Sequence, residues 1–247
     1  TGDALLDNDG KPFTNKKTFI WNGQTEESID ITIDATNLDG KTVVFYENLY
    51  YGSENQTEET ELLRENTQDS IEQSIFIPGI HTTATDEESN TKMVVLSRKI
   101  VDEIALENIL PNTDYIIETK LVDKATGEFI KDINGNDFVH TSQYSTKDKI
   151  SENGYSINDI ESVTLDLSNA VDIEGKDIVV YEYMYFADDN TPYVSHEDIN
   201  DDAQTIIVPI GHTTATDSIT KDHVSYATKT VTIIDRFTFD KLLEDQE

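Results

Sequence analysis

Apolar and polar residues alternate along this chain in short runs. Val163, Leu165 and Leu167 are separated by Thr164 and Asp166, the period of a strand with one buried face. Ile29, Ile31 and Ile33 repeat the pattern near the start. The run Ile178–Phe186 (IVVYEYMYF) is β-branched and aromatic, which predicts a well-covered strand. Between such runs lie turn signals: Asp132–Asp137 (DINGND), Leu38–Lys41 (LDGK) and Ile173–Lys176 (IEGK). Proline stands only in connections or at strand ends. The one helical pattern, FDKLLEDQ near the C-terminus, is weak, and it aligns with a β segment elsewhere in the chain. Many short strands with turns between them predict an all-β fold of immunoglobulin-like sandwiches.

The pattern also recurs. Gln73–Asp86 (QSIFIPGIHTTATD) returns as Gln204–Asp217 (QTIIVPIGHTTATD), and Pro209 lies 131 positions after Pro78 (209 − 78). Val44–Glu47 matches Val179–Glu182, and Ser97–Leu110 matches Val231–Leu243. A period of this size means tandem domains with separate cores. The expected division is 1–78, the later part of one repeat; 79–209, a complete repeat; and 210–247, the first part of another. Neither partial repeat is expected to bury a sound core by itself. The chain opens with Thr rather than Met, which reads as an excised fragment.

Charge narrows the function. With 50 acidic and 18 basic residues the formal charge is −32, which repels nucleic acid and anionic membranes. Eleven Tyr and nine Phe supply core material that a disordered acidic chain lacks. Cysteine is absent, so no disulfide framework or thiolate metal site is expected. No cofactor is implied. No apolar run reaches bilayer-spanning length, and no signal peptide pattern is present. Gly-x-Ser-x-Gly, Walker and His-Glu-x-x-His motifs are missing, which argues against a turnover enzyme.

The densest polar cluster is Ser195–Thr205 (SHEDINDDAQT). Its acids suit calcium in type, but the EF-hand pattern fails: the sixth position is not Gly and the twelfth is not Glu. A solvated acidic loop is the plain alternative. The stretch HEDINDDAQT resembles the His-x-Asp-x-x-Asp-x-x-Gln-Thr signature of the Thr–Gln ester-bond domains. These are found in Gram-positive surface proteins, including the VaFE-repeat adhesins. VVYE, IHTTATD and IVDEIALENILPNTDYIIETKLVDKATGE are similar to further motifs of those repeats. The resemblance implies a sandwich whose first and last strands are joined by a self-formed ester, with a Thr hydroxyl attacking a Gln carboxamide and releasing ammonia.

Such an attack needs a base, a stabilised oxyanion and proximity. By its place in the motif Gln204 is the acyl donor. His196 is the expected base, with Asp198 as its carboxylate, and the resemblance places Asp102 and Glu182 as acids near the bond. Ile80, Thr82 and Ala84 share one face of their strand, which favours Thr82 over Thr83 as nucleophile. His81 and His212 are expected to be exposed strand residues. In the first repeat Glu65, Thr67 and Ser70 stand where His196, Asp198 and Asp201 stand, so its ester is expected to form poorly. The third segment keeps Thr213, Thr214 and Asp235. The expected function is a stalk or fibre segment of an extracellular adhesin, with a ligand-binding module as the rival. The expected partners are neighbouring repeats and, by end-to-end strand complementation, other copies in a filament.

Overall fold

The computed structural model describes residues 2–7, 9–52, 60–227 and 230–243. The chain is all-β and divides into two units, 1–77 and 78–247.

Unit one contains β1 (Thr42–Val44), β2 (Glu47–Tyr51), β3 (Thr60–Glu65) and β4 (Ser74–Phe76). They pair as two antiparallel couples, β1 with β4 and β2 with β3. Among the described residues of this unit, Leu38 is the one buried apolar side chain; Trp21 and Ile20 lie open to solvent. The alternation Ile29–Ile33 predicts a strand, but no ladder forms there. The three isoleucines are each half-buried and the residues between them exposed, so the periodicity survives without pairing. Hydrogen-bonded partners are what is missing. The corresponding strand of unit two pairs with a long neighbour that has no counterpart among the described residues of unit one.

Unit two contains β5 (Gly79–Asp86), β6 (Lys99–Ile109), β7 (Asp114–Asp123), β8 (Val139–Ser145) and β9 (Ile157–Asp166). They are followed by β10 (Asp177–Phe186), β11 (Pro192–His196), β12 (Thr205–Ile207), β13 (Ile210–Asp217) and β14 (Ile233–Asp240). One sheet has the order β5-β6-β9. The other runs β11-β10-β7-β8, and β12 continues along the edge of β10 that β11 leaves free. Their inner faces meet over Ile80, Ile104, Leu121, Leu165, Ile178 and Met184, each 2% exposed or less. This is the immunoglobulin-like sandwich that the sequence predicts for the complete repeat. An aromatic group closes one end: Tyr115 stacks on Phe186 and Tyr193 at centroid distances of 5.6 and 5.8 Å.

The repeat is visible in hydrogen-bond register. Thr42 pairs with Phe76 as Asp177 pairs with Ile207, and Glu47 pairs with Glu65 as Glu182 pairs with His196. Ala215 pairs with Asp235 as Ala84 pairs with Asp102. The turn chemistry also holds: Gly40 and Gly175 take φ of 68° and 77°, where a Cβ is strained. The C-terminal FDKLLEDQ begins in β14, not in a helix, and its last residues lie outside those described.

Ile104 sits on the inner face of β6 with no exposure. Ile104→Ala is expected to cost about 2–5 kcal/mol, because the surrounding sheets relax only partly into the space. A urea titration of the full chain followed by tyrosine fluorescence reads the shift in midpoint.

Candidate functional site

Four strands of unit two show a polar residue where alternation calls for an apolar one; β7 carries Thr119 between Ile117 and Leu121. On β5 the inward positions are Ile80, Thr82 and Ala84; on β6 they are Ile100, Asp102 and Ile104; on β10 they are Val180, Glu182 and Met184. Asp102, Glu182 and Gln204 have no exposed surface, and Thr82 is 4% exposed. Gln204 immediately precedes β12, where the chain passes from the edge of β10 toward β5. The Ala84 amide donates to the Ala203 carbonyl at 3.0 Å, which fixes that crossing beside Thr82.

The four side chains form one cluster between the sheets. The Gln204 amide nitrogen donates to Thr82 Oγ1 at 2.9 Å and to Glu182 Oε2 at 3.0 Å. The Thr82 hydroxyl donates to the same Glu182 oxygen at 3.2 Å. One carboxyl oxygen thus touches both the hydroxyl and the amide nitrogen. Both oxygens of Asp102, Glu182 Oε1 and Gln204 Oε1 are buried without a hydrogen-bond partner. Buried polar atoms left unmatched are costly in a finished core, and their concentration at one point marks a site arranged for chemistry.

Burial sets the electrostatics. It pushes the Glu182 carboxyl well above the ordinary carboxylate range, and the neighbouring Asp102 charge adds to the effect. Burial also raises Asp102, but interactions with Glu182 and Thr82 and the nearby charges of Lys92 and His196 pull it back down. The pair is therefore asymmetric: Glu182 holds a proton and Asp102 is the member that ionises first.

His196 stands across the β10–β11 ladder from Glu182. Its Nε2 lies 3.3 Å from Asp201 Oδ2, and its ring meets the edge of His81 at a centroid distance of 5.6 Å. No hydrogen bond joins it to Thr82 or Gln204, and its Nδ1 is buried without a partner. Asp198 is not brought to this histidine: its carboxylate accepts the Asn200 amide at 2.9 Å and closes a local turn. The acid that meets His196 is Asp201, three positions on, because the turn at Asp198–Asp201 folds the chain back. Thr83 points outward, as do His81 and His212. Lys92, which the sequence reading passed over, donates to the Ala84 carbonyl at 2.6 Å and to the Ala203 carbonyl. The Ser195–Thr205 loop does not gather a cation site, and no group of three or more His, Cys, Asp or Glu suited to a metal occurs among the described residues.

Unit one repeats the frame without the cluster. The Phe45 amide donates to the Gln73 carbonyl as the Val180 amide donates to that of Gln204. But Glu47 is exposed, and Glu65 accepts the Thr67 amide at 3.0 Å instead of meeting an imidazole.

A threonine hydroxyl and a glutamine carboxamide thus lie in contact beside a buried acid pair, between the two sheets of a β-sandwich. The family of T-Q ester bond containing domains matches residues 1–77 and 78–208, and the chain belongs to it. Among solved structures it is similar to a Mobiluncus mulieris adhesin described as containing intramolecular disulfide, isopeptide and ester bond cross-links. One crystal form, in space group P1, is 12% identical with a TM-score of 0.37, covering 66% of this chain and 76% of that one. A second form, in space group P21, is 13% identical with a TM-score of 0.36, covering 66% and 75%. A comparison with curated proteins found no match.

The buried acids give a pH test. A carboxyl raised in the folded state keeps a proton that the unfolded chain releases above the ordinary values, 3.8 for Asp102 and 4.5 for Glu182. Unfolding then releases protons, so their contribution weakens the fold as pH rises from those values upward. In a Thr82→Ala chain, which cannot link, the urea midpoint of unit two is expected to carry this fall. Adding Glu182→Gln is expected to flatten it.

Proposed function

We propose that unit two matures by a single self-catalysed reaction joining Thr82 Oγ1 to Gln204 Cδ. The observation that carries this reading is the shared Glu182 oxygen, in contact with both the attacking hydroxyl and the leaving nitrogen. As the new O–C bond forms, the Thr82 hydroxyl swings from Glu182 to the ionised Asp102, which interacts with it from β6, and gives up its proton there. As the C–N bond breaks, the protonated Glu182 supplies the third hydrogen of the departing ammonia. The products are one ester and one ammonia, with the proton moved from Glu182 to Asp102 within the pair. Nothing turns over, so this is maturation and not enzymatic catalysis. Holding the reactants in contact is worth about 7–11 kcal/mol in well-oriented systems, which compensates for a poor nucleophile and a poor electrophile.

In this reading His196 is not the proton acceptor. Held by Asp201, it stands beside the acid pair, and in its protonated form it favours ionised Asp102. Asp198 shapes the turn that delivers Asp201.

We place the chain in the stalk of an extracellular, Gram-positive surface adhesin or fibre, where the ester resists force and proteolysis. The support is family membership, the tandem repeat in sequence and register, and a charge of −32 that keeps such a chain from self-association. Its partners are the neighbouring repeats. The β13–β14 hairpin carries the register of β5–β6 and leaves Phe237 and Phe239 exposed, as suits the opening strands of a following sandwich.

The intact mass of the folded chain is expected to fall short of its sequence mass by one ammonia, not two, because unit one lacks the buried cluster. Moderate alkali should then add one water at the Thr82–Gln204 link. A chain that keeps its full mass after prolonged folding would exclude the ester.

The roles separate by substitution. Glu182→Gln should leave the chain folded and unlinked. His196→Ala should link slowly but completely, since it loses a charge and not a proton carrier. Mass spectrometry over a time course reads both; a His196→Ala chain that never links would return the histidine to the role of base.

A further inference from the structure

We propose that Lys92 is a positioning residue for ester formation, clamping the Thr82 strand to the Gln204 segment and placing a positive charge beside Asp102. The inference rests on the ester reading above and extends it to a residue outside the Thr–Gln signature.

The placement of Lys92 is specific. It lies in the connection between β5 and β6, half-buried. Its ammonium donates to the carbonyl of Ala84, two residues after the nucleophile on the same face of β5. It also donates to the carbonyl of Ala203, immediately before Gln204. The Ala203 carbonyl in addition accepts the Ala84 amide, so one oxygen gathers both strands and the cation. The Lys92 main chain reinforces the clamp: its carbonyl accepts the Ile207 amide at 2.7 Å, and the Val94 amide donates to Ile207 at 2.9 Å. Lys92 therefore holds β12 by its backbone and the segment just before β12 by its side chain, across 111 positions of sequence.

The charge has a second effect. Burial lowers the pKa of Lys92, and the carboxylates of Asp102, Asp201 and Asp202 oppose that shift. Asp102 in turn faces Glu182 on β10, Thr82 on β5, His196 on β11 and Lys92. Lys92 is the lysine among these, and its charge favours the ionised form of Asp102. With Asp102 ionised, the shared proton stays on Glu182, which is the arrangement that both proton transfers require. A lysine that only filled space would not bias the pair.

The test uses unlinked full-length chain recovered from inclusion bodies and refolded into buffers over a range of pH, with intact mass followed in time. Wild type, K92M and K92R are compared, and hydrogen exchange of β6 and β10 checks that each has folded. K92M is expected to link about tenfold more slowly, a modest misplacement of the reactants. The rising limb of its rate–pH profile should move to higher pH, because Asp102 then ionises later. K92R, which keeps charge and donors, should restore the rate and leave the limb in place. Should K92M not fold, K92Q carries the same prediction, since it keeps a donor without the charge. A K92M chain, or K92Q in its place, that links at the wild-type rate, or slowly with an unmoved profile, overturns the proposal. A wild-type chain that never loses ammonia would instead overturn the ester reading itself.

Discussion

Two carboxyl groups buried between apolar strands are the constraint on which this sandwich turns. Asp102 lies between Ile100 and Ile104, and Glu182 between Val180 and Met184, on facing sheets. An isolated buried charge is prohibitive, so at least one of the pair must keep its proton. That cost is compatible with folding because the rest of the inner face is well packed: Ile80, Leu121, Leu165 and Ile178 belong to one buried apolar core. The core thus supplies the low-dielectric surroundings that hold the Glu182 carboxyl well above the ordinary range and raise Asp102 as well.

Strand order turns that local chemistry into a mechanical device. β5 opens the sandwich and β12 ends it, in different sheets. Thr82 and Gln204 meet because β12 runs along β10 while the residues before it bond to β5. The hydrogen bonds of β12 to Val179 and Ile178 alone would peel in sequence under tension; under the proposed ester, tension applied outside the domain would bypass the strands within.

The partial repeats show which parts of the frame are autonomous. The couples β1–β4, β2–β3 and β13–β14 each reproduce the register of their counterparts, so local pairing follows from the segments themselves. Burial does not follow. β2, β3 and β14 are exposed along their whole length, and Glu47 lies in solvent where Glu182 is enclosed. Glu47 lacks the enclosure and the facing acid that surround Glu182, so the same residue type sits in a different setting there.

Period-2 alternation determined the β class, the turns at Gly40 and Gly175 and the inward face of β5, because each depends on neighbours within a few residues. The recurring segments determined the repeat, and the motif around Gln204 pointed to the Thr–Gln pair. A further signal was present in the sequence: Ile-x-Thr-x-Ala, Ile-x-Asp-x-Ile and Val-x-Glu-x-Met each break an apolar alternation with one polar residue. What alternation does not contain is which breaks face one another. Only the tertiary structure placed Asp201 rather than Asp198 against His196, set Glu182 in contact with both reactants and brought Lys92 to Ala203. Those contacts join residues far apart in the chain or across a turn, and their geometry is fixed by sheet packing. The same limit explains Ile29–Ile33: its pattern is that of a strand, but a strand also needs a partner, and pairing is a property of the fold.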